Sequence, residues 1–455
     1  MYRMIDPMAA WSVADSLAQT GANIAALASR IRLLIPESNG LDAAGRSVAW
    51  WKSTAADLKR RVALLEPTSR PAPGAEWIQG PPRRDDLISP TEAAAFFARL
   101  GPLEAMRLAG RFPDQVGPVE GAPSAVRYEA NHVLAVRYLE DLRRRRRAII
   151  ASNGPGFSFT PDDLRDLYRS IGRPFTDLRR LVDEDLAMLD RQIADAARWA
   201  DRDRQFLRFD PSGDGQIIEV LGELESSRHV AIVVPGVGNE IANYERGLRG
   251  SATSLHGSAD RSDASVIAWL GYDAPDDLLA AMNRHPVAAA ESLTGFLRGL
   301  EVSIKHGVHR SLIGHSYGSV VTGEALQAGA AVEEVVFIGS PGVGVDHVSD
   351  LELPASTHVW AGRAASDPIL LARDLECFDP APICHPSADR LFFGLDPTDP
   401  AFGATRFAVD DAPIRDAHSS YFKQGSASLH NLTSIFLGQD HLVTRPGSRI
   451  ARVSE

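Results

Sequence analysis

The chain has 455 residues, a formal net charge of −11 at pH 7, 44% hydrophobic residues and 24% charged residues. This length exceeds what one hydrophobic core accommodates, so we expect about two or three domains. The negative charge argues against a protein that binds nucleic acid in general, because contact with phosphates requires a basic face.

The sequence contains no sign of a membrane segment or a leader. No stretch approaches the roughly 18 consecutive apolar residues of a membrane-spanning helix. The first residues, Met1 to Pro7, lack a basic region followed by an apolar core and a cleavage site. We therefore expect a cytoplasmic protein, with export by a leaderless route as the alternative.

The first half of the chain is predicted to be helical. Residues 8–66 are rich in Ala, Leu and Arg, and their apolar residues recur at intervals of three and four. Five prolines and two glycines then indicate a linker, and helices resume without any strand-like alternation. The predicted organisation is a helical hairpin region at 1–66, a linker at 67–89, a helical region at 90–202 and an α/β domain at 203–455.

A run of five arginines, Arg143 to Arg147, stands out within the helical region. Five consecutive residues of a helix point all round its axis, so they cannot form one binding face. A solvated helix end is the favoured interpretation, and a patch for an anionic partner is the alternative.

From residue 206 the pattern changes to short apolar runs rich in β-branched residues. Two runs flank the Gly- and Asp-rich segment 211–215 and predict a β-hairpin. Strands that alternate with helices then predict a mostly parallel sheet flanked by helices. The predicted strands are 230–234, 265–270, 310–314 and 335–338, with weaker candidates at 357–360 and 406–409, and the predicted helices are 276–282, 286–306 and 317–327.

The segment Gly314-His315-Ser316-Tyr317-Gly318 places one serine between two glycines, after a predicted strand and before a predicted helix. This is the setting of a nucleophile elbow, a tight turn that exposes a reactive hydroxyl. Side chains at the two glycine positions would collide with the neighbouring strand and helix. The alternative is a Gly-Ser turn that only caps a helix.

A serine nucleophile needs a base, and after a nucleophile elbow the acid and then the histidine follow along the chain. His418 is the candidate base, because it follows the last strand candidate in a loop that can reach the elbow. Asp367 is the candidate acid, as the first carboxylate after the strand ending near Trp360, although it could instead cap a turn before Pro368. The rival acids are Asp374, Asp379 and Asp396, and the other downstream histidines are His347, His358, His385, His430 and His441.

A glycine-rich segment after the strand at 230–234 predicts an oxyanion hole. Gly236 and Val237 would supply backbone N–H groups there, with the N–H of Tyr317 as their partner. A phosphate-binding loop is the alternative, but neither of the usual completions of that motif follows.

No metal or organic cofactor is implied by the sequence. Cys377 and Cys384 lie in one Pro- and Asp-rich stretch, which favours two unrelated thiols or one local disulfide. A metal pair with His385 would lack a second ligand cluster.

These motifs together resemble the α/β-hydrolase fold, and more closely a family of actinobacterial α/β hydrolases that carry a helical region before the catalytic domain. The resemblance implies a catalytic triad at Ser316, Asp367 and His418 but does not define the substrate. This chain has Phe393 where the family often has a histidine. The resembling stretches are 117–123, 127–131, 209–215, 233–238, 269–275, 314–321, 339–344, 366–369 and 417–421.

The N-terminal region of the chain resembles a second known motif. Trp51-Lys52-Ser53 is similar to a degenerate W-x-G helical hairpin, a motif associated with specialised secretion systems and with partner packing. The alternative is an amphipathic helix that packs on its own domain. A protein partner would bind through this helical region.

The sequence thus predicts a serine hydrolase of esterase or lipase type that acts on a small-molecule carboxylic ester through an acyl-enzyme. The same triad serves thioesters and amides, which stay open. The alternative from another class is a catalytically silent, hydrolase-like binding or secretion-linked interaction module.

Overall fold

The computed structural model of the chain describes residues 89–152, 175–277, 280–281, 286–371, 390–391 and 393–447. The predicted hairpin region with Trp51, the linker up to residue 88 and the cysteine-containing stretch lie outside these residues. All described residues belong to one compact unit, Gln79–Glu455. The boundary at residue 203 stays a prediction.

Helices precede the sheet, as the sequence predicts. The first begins at a capping box, in which the Ser89 hydroxyl accepts from the Glu92 N–H at 3.3 Å while the Glu92 carboxylate accepts from the Ser89 N–H at 3.0 Å. This reciprocal pair satisfies two backbone donors that a helix start leaves without a partner. The helices are α1 (Pro90–Leu100), α2 (Pro102–Arg111), α3 (Pro113–Val116), α4 (Ser124–Ser152) and α5 (Phe175–Trp199).

An eight-stranded sheet forms the centre of the unit, in the order β1-β2-β4-β3-β5-β6-β7-β10. The predicted hairpin β1–β2 is antiparallel, β2 pairs antiparallel with β4, and every pairing from β4 to β10 is parallel. The strands are β1 (Gln205–Asp210), β2 (Gln216–Leu221), β3 (His229–Val234), β4 (Ala264–Leu270), β5 (His309–His315), β6 (Glu334–Ile338), β7 (His358–Gly362), β8 (Arg390–Leu391), β9 (Gly394–Leu395) and β10 (Thr405–Arg406). The predicted mostly parallel sheet is confirmed.

Helices cover both faces of this sheet. Along β3, Val230 and Ile232 pack into one core cluster with α7 and α8, whereas Ala231 and Val233 pack into another with α6 and α10. This alternation follows from the two-residue period of a strand, and it explains why the strands read as continuous apolar runs. The helices are α6 (Leu248–Ala259), α7 (Val287–Ser303), α8 (Tyr317–Gln327), α9 (Ile414–Ala417) and α10 (Ala427–Phe436).

Buried polar side chains of α4 join the N-terminal helices to the edge of the sheet. The Asn131 amide donates to the carbonyl oxygens of Arg127 and Phe206, both at 2.9 Å, and accepts from the Phe209 N–H at 3.0 Å. The buried guanidinium of Arg127 donates to the Leu207 carbonyl oxygen at 3.0 Å. The strand β1 therefore exchanges hydrogen bonds with a helix along the edge where no strand of the described residues pairs with it.

We expect Asn131→Ala to lower the free energy of unfolding by about 2–5 kcal/mol, because it leaves a buried N–H and a buried carbonyl group of β1 without partners. Urea unfolding followed by circular dichroism measures this change. Arg137→Ala on the same helix is the control, since the ion pair of Arg137 with Asp114 is exposed and should be worth less than about 1 kcal/mol. Equal losses in both variants would contradict a special role of Asn131.

Candidate active site

The predicted nucleophile lies on a sharp turn between β5 and α8. Ser316 is the N-cap of α8 and has φ 55° and ψ −132°, a conformation that a non-glycine residue adopts only under strain. Its N–H donates to the Ile338 carbonyl oxygen at 3.0 Å, and its carbonyl oxygen accepts from the Ser319 hydroxyl at 2.6 Å. Neighbouring elements therefore hold the strained backbone in place.

The two glycines of the motif have the steric role that the sequence predicts. A Cβ atom at Gly318 would lie 2.4 Å from the Val234 carbonyl oxygen, at the end of β3, and one at Gly314 would lie 2.7 Å from the Ser319 Cα in α8. Both distances are too short for any side chain. Strand, turn and helix can pack this closely only because both positions lack a Cβ.

The candidate base and acid are in direct contact. The His418 Nδ1 lies 2.8 Å from Asp367 Oδ1 and 3.1 Å from Asp367 Oδ2. A carboxylate only accepts, so Nδ1 carries the proton of this contact, which leaves Nε2 as the electron-pair atom of the neutral ring. Asp367 follows β7 and His418 follows β10, so both lie at the carboxyl edge of the sheet where β5 delivers Ser316.

The hydroxyl of Ser316 is not hydrogen-bonded to His418 within the described ranges. The loop of His418 is instead tied to the elbow through His315, whose Nε2 donates to the His418 carbonyl oxygen at 2.7 Å. The rings of His315 and His418 have their centroids 5.0 Å apart. Catalytic hydrogen bonds often tighten only when substrate binds, so this geometry is compatible with a Ser–His pair.

Burial determines the charge state of His315. Loss of hydration lowers the pKa of His315 to about 4, and the neighbouring imidazole of His418 contributes in the same direction. His315 is therefore neutral at pH 7 and holds the His418 loop through a neutral hydrogen bond.

The carboxylate of Asp367 is buried, and three donors converge on it. Burial by itself would raise its pKa, but the hydrogen bond and charge of His418, the Tyr421 hydroxyl and the Ile369 N–H lower it by more. The Tyr421 Oη donates at 2.5 Å and the Ile369 N–H at 2.9 Å. The pKa of Asp367 therefore lies below its ordinary value, and the group is an anion at neutral pH.

The predicted oxyanion loop is anchored through its carbonyl groups. Tyr272 Oη donates to the Pro235 carbonyl oxygen at 2.7 Å, and the Asn239 amide donates to the carbonyl oxygens of Gly236 at 3.0 Å and Val237 at 3.3 Å. A Cβ at Gly236 would lie 2.9 Å from the Ser316 Oγ, so this loop passes directly beside the nucleophile. Tyr317 is the first residue of α8, where backbone N–H groups point away from the helix.

The rivals of the predicted triad residues have other partners or lie elsewhere. Asp396 pairs with Arg363 and caps its own turn at the Thr398 N–H. His347 caps a short helix at Ser349, and His358 begins β7 at the opposite edge of the sheet. The rivals Asp374, Asp379 and His385 lie outside the described residues.

The sequence did not predict a functional role for four side chains of this site: His315, Tyr421, Asn239 and Tyr272. Each acts on a group that lies far away in sequence or on a backbone atom. Tyr421 had one available signal, since it lies three residues after His418. Its contact with Asp367 spans 54 positions, and local patterns carry no information about it.

A family model described as alpha/beta hydrolase matches residues 210–376. This stretch includes the elbow and Asp367 but ends before His418. Together with the strand order, the match shows that the chain has the α/β-hydrolase fold. None of the described helices combines the length and apolar character that a membrane crossing requires.

Two relatives come from Mycobacterium tuberculosis (strain ATCC 25618 / H37Rv). The uncharacterized protein Rv2079 is 27% identical over 408 residues, which cover 84% of this chain and 60% of the relative. The uncharacterized protein Rv0963c is 36% identical over 143 residues, which cover 29% of this chain and 54% of the relative. The chain thus spans less than two thirds of the length of these relatives.

Solved structures of low sequence identity are also similar in part. The α/β serine hydrolase without lid XC6422 from Xanthomonas campestris is 18% identical, with a TM-score of 0.26 over 35% of this chain and 71% of that chain. A thermostable esterase from Pseudomonas putida ECU1011 is 14% identical, with a TM-score of 0.28 over 63% of this chain and 98% of that chain.

Proposed function

We propose that the protein is a serine hydrolase that acts on carboxylic esters through Ser316, His418 and Asp367. One observation carries the proposal. A hydrogen-bonded histidine–aspartate pair lies at the same sheet edge as a serine held in strained backbone between strand and helix. A serine that only capped a helix would need neither the strain nor the pair.

The reaction begins with the Ser316 hydroxyl, whose oxygen attacks the acyl carbon while its proton passes to His418 Nε2. Asp367 keeps the Nδ1 proton in place and stabilises the imidazolium cation that forms. The same proton then goes to the leaving alcohol, which leaves an acyl-enzyme on Ser316. Water attacks this ester with His418 as the base, and Ser316 regains its proton as the acid product departs.

Backbone N–H groups would stabilise the negative oxygen of both tetrahedral intermediates. The proposal assigns this role to Tyr317 and to the loop of Gly236 and Val237. Two features support it: the loop carbonyls are bound by Asn239 and Tyr272 on the scaffold side, and the start of α8 carries partial positive charge. Removing one donor of such a hole typically lowers kcat by about 10²–10³-fold.

An active-site-directed fluorophosphonate tests the nucleophile. We expect wild-type protein to be labelled once, Ser316→Ala to remain unlabelled, and the exposed control Ser226→Ala to be labelled like wild type. Mass spectrometry of the labelled peptide locates the adduct, and a graded series of esters then defines the preferred acyl chain. Folded wild-type protein that resists the reagent would favour the silent binding module instead.

A further inference from the structure

Histidine and acidic side chains line the amino edge of the parallel sheet, opposite the triad. Three neighbouring strands start here with His309 in β5, Glu334 in β6 and His358 in β7. The short helical turn Asp440–Leu442 brings Asp440 to the same place from the C-terminal part of the chain. None of these residues takes part in the proposed hydrolysis.

Three of these side chains bring possible metal-ligand atoms close together. The Glu334 Oε1 lies 3.4 Å from the His358 Nδ1, which lies 3.1 Å from the Asp440 Oδ2. One possible ligand atom from each of the three residues lies within 4.8 Å of the other two. Bonds of about 2.0–2.1 Å in a tetrahedral zinc site place ligand atoms about 3.3 Å apart, which is close to these two separations.

The charges of this cluster also favour a bound cation. Glu334 is only 3% exposed, and in the described part of the chain its ion pairs involve imidazoles alone, His358 and, at 3.7 Å, His309. The single His358 Nδ1 faces two carboxylates but carries at most one proton. Buried carboxylates are ordinarily paired with a full positive charge or a metal ion.

One buried oxygen at this place has no hydrogen-bond partner. The Asp440 side chain is 39% exposed, but its Oδ1, the partner of the Oδ2 that faces His358, is shielded from solvent and accepts no hydrogen bond from any described residue. The second oxygen of Glu334, in contrast, accepts from the Trp360 indole N–H at 2.7 Å, which fixes the carboxylate with Oε1 toward the cluster. Such support from a neighbouring group is typical of metal-binding carboxylates.

We propose that Glu334, His358 and Asp440 bind a divalent transition-metal ion, with Zn²⁺ the best match to one imidazole and two carboxylates. The fourth position would take water or, after a small movement, the imidazole of His309. Nitrogen and oxygen ligands at this spacing suit zinc better than calcium, which prefers six or more oxygens.

The role of this ion would be structural. A strand of five residues such as β6 is about 16 Å long, so the ion lies far from the acyl centre at the other edge. It would fasten the segment around Asp440, which follows α10, to β6 and β7. Since β7 leads directly to the loop of Asp367, the ion would stabilise the scaffold that positions the acid.

Titration of metal-stripped protein with zinc chloride tests the site. Isothermal titration calorimetry of the full chain should show one equivalent bound, and the melting temperature should rise with zinc concentration, because an ion that binds only the folded state stabilises it. His358→Gln and Asp440→Asn change partly exposed side chains, so both variants should fold. Each should weaken zinc binding at least about 10-fold.

His306→Gln, which removes an exposed histidine outside the cluster, is the matched control and should bind zinc like wild type. Wild-type protein that binds no zinc would overturn the proposal. So would zinc binding that survives unchanged in both His358→Gln and Asp440→Asn, because the ion would then sit on other side chains. Fluorophosphonate labelling of Ser316 in the same samples reports separately on the proposed hydrolase.

Discussion

Asp367→Asn should lower kcat for ester hydrolysis by about 10⁴-fold while leaving the fold intact. The Asp367 carboxylate accepts from three donors, the His418 Nδ1, the Tyr421 hydroxyl and the Ile369 N–H. An asparagine side chain has one acceptor oxygen and an NH₂ group that only donates. One of the three donors must then face this NH₂ group, which is also a donor. The imidazole is thereby driven to the tautomer that carries its proton on Nε2. That nitrogen is the atom that has to accept the proton of Ser316.

Steady-state hydrolysis of a chromogenic ester and the rate of fluorophosphonate labelling measure this loss. Asp416→Asn is the control, because Asp416 is an exposed carboxylate two residues before His418 that pairs only with Arg415 among the described residues. It should change kcat by less than about twofold, as expected of an exposed ion pair. An Asp367→Asn enzyme with wild-type kcat would remove Asp367 from the triad.

The difference in stability between wild type and Asp367→Asn should also depend on pH. The pKa of Asp367 is lowered in the folded protein, so its charge stabilises the fold above the ordinary aspartate pKa of about 3.9 and ceases to do so as the pH falls through the lowered value. The difference in unfolding free energy between wild type and Asp367→Asn should therefore shrink below about pH 4. Urea unfolding at a series of pH values measures it.

The sharp turn at Ser316 between strand and helix could be predicted because its requirements are local. Gly314, Ser316 and Gly318 are close in sequence, and the predicted helix 317–327 coincides with α8. Asp367 and His418 are predicted from chain order, as residues in loops after strands, and the structure brings these two side chains into contact. In a parallel sheet, the loops that follow the strands lie at the same edge, whatever segments separate them in the sequence. Chain order therefore indicates which residues can meet there.

Contacts that depend on packing could not be predicted. Helix α6 contains two glycines and three serines, so its composition disfavours a helix, and burial of Ala252 and Leu255 against the sheet stabilises it instead. Asn131 and Tyr421 act on groups 75 and 54 positions away. A single sequence does not reveal which distant backbone group a polar side chain will meet.

The candidate metal cluster illustrates the same limit. Glu334, His358 and Asp440 are spread over more than a hundred residues, with none of the short spacings that identify zinc sites in sequences. Their meeting depends on the register of β6 with β7, in which Glu334 pairs with His358, and on the turn after α10. From the sequence, His358 is only one of the histidines other than the candidate base His418, and its position at the amino edge agrees with setting it aside.

Gly236→Ala tests how closely the oxyanion loop and the nucleophile depend on each other. An added Cβ would lie 2.5 Å from the Ser316 Cβ and 3.1 Å from the His315 carbonyl oxygen, so either the loop or the elbow must move. We expect the overlap to lower the unfolding free energy by about 1–3 kcal/mol. A displacement of about 1 Å between nucleophile and donors should also lower kcat by about 10²-fold.

Gly257→Ala is the matched control, because a Cβ there, on the exposed side of α6, meets nothing within 4 Å. This change should leave kcat unaltered and raise stability slightly, since alanine favours a helix over glycine. Melting curves separate the two effects of Gly236→Ala, because kcat measured well below the melting temperature reports only on folded enzyme. If folded Gly236→Ala protein hydrolyses esters at the wild-type rate, the reacting oxygen is held somewhere other than beside Gly236, and the proposed hole is wrong.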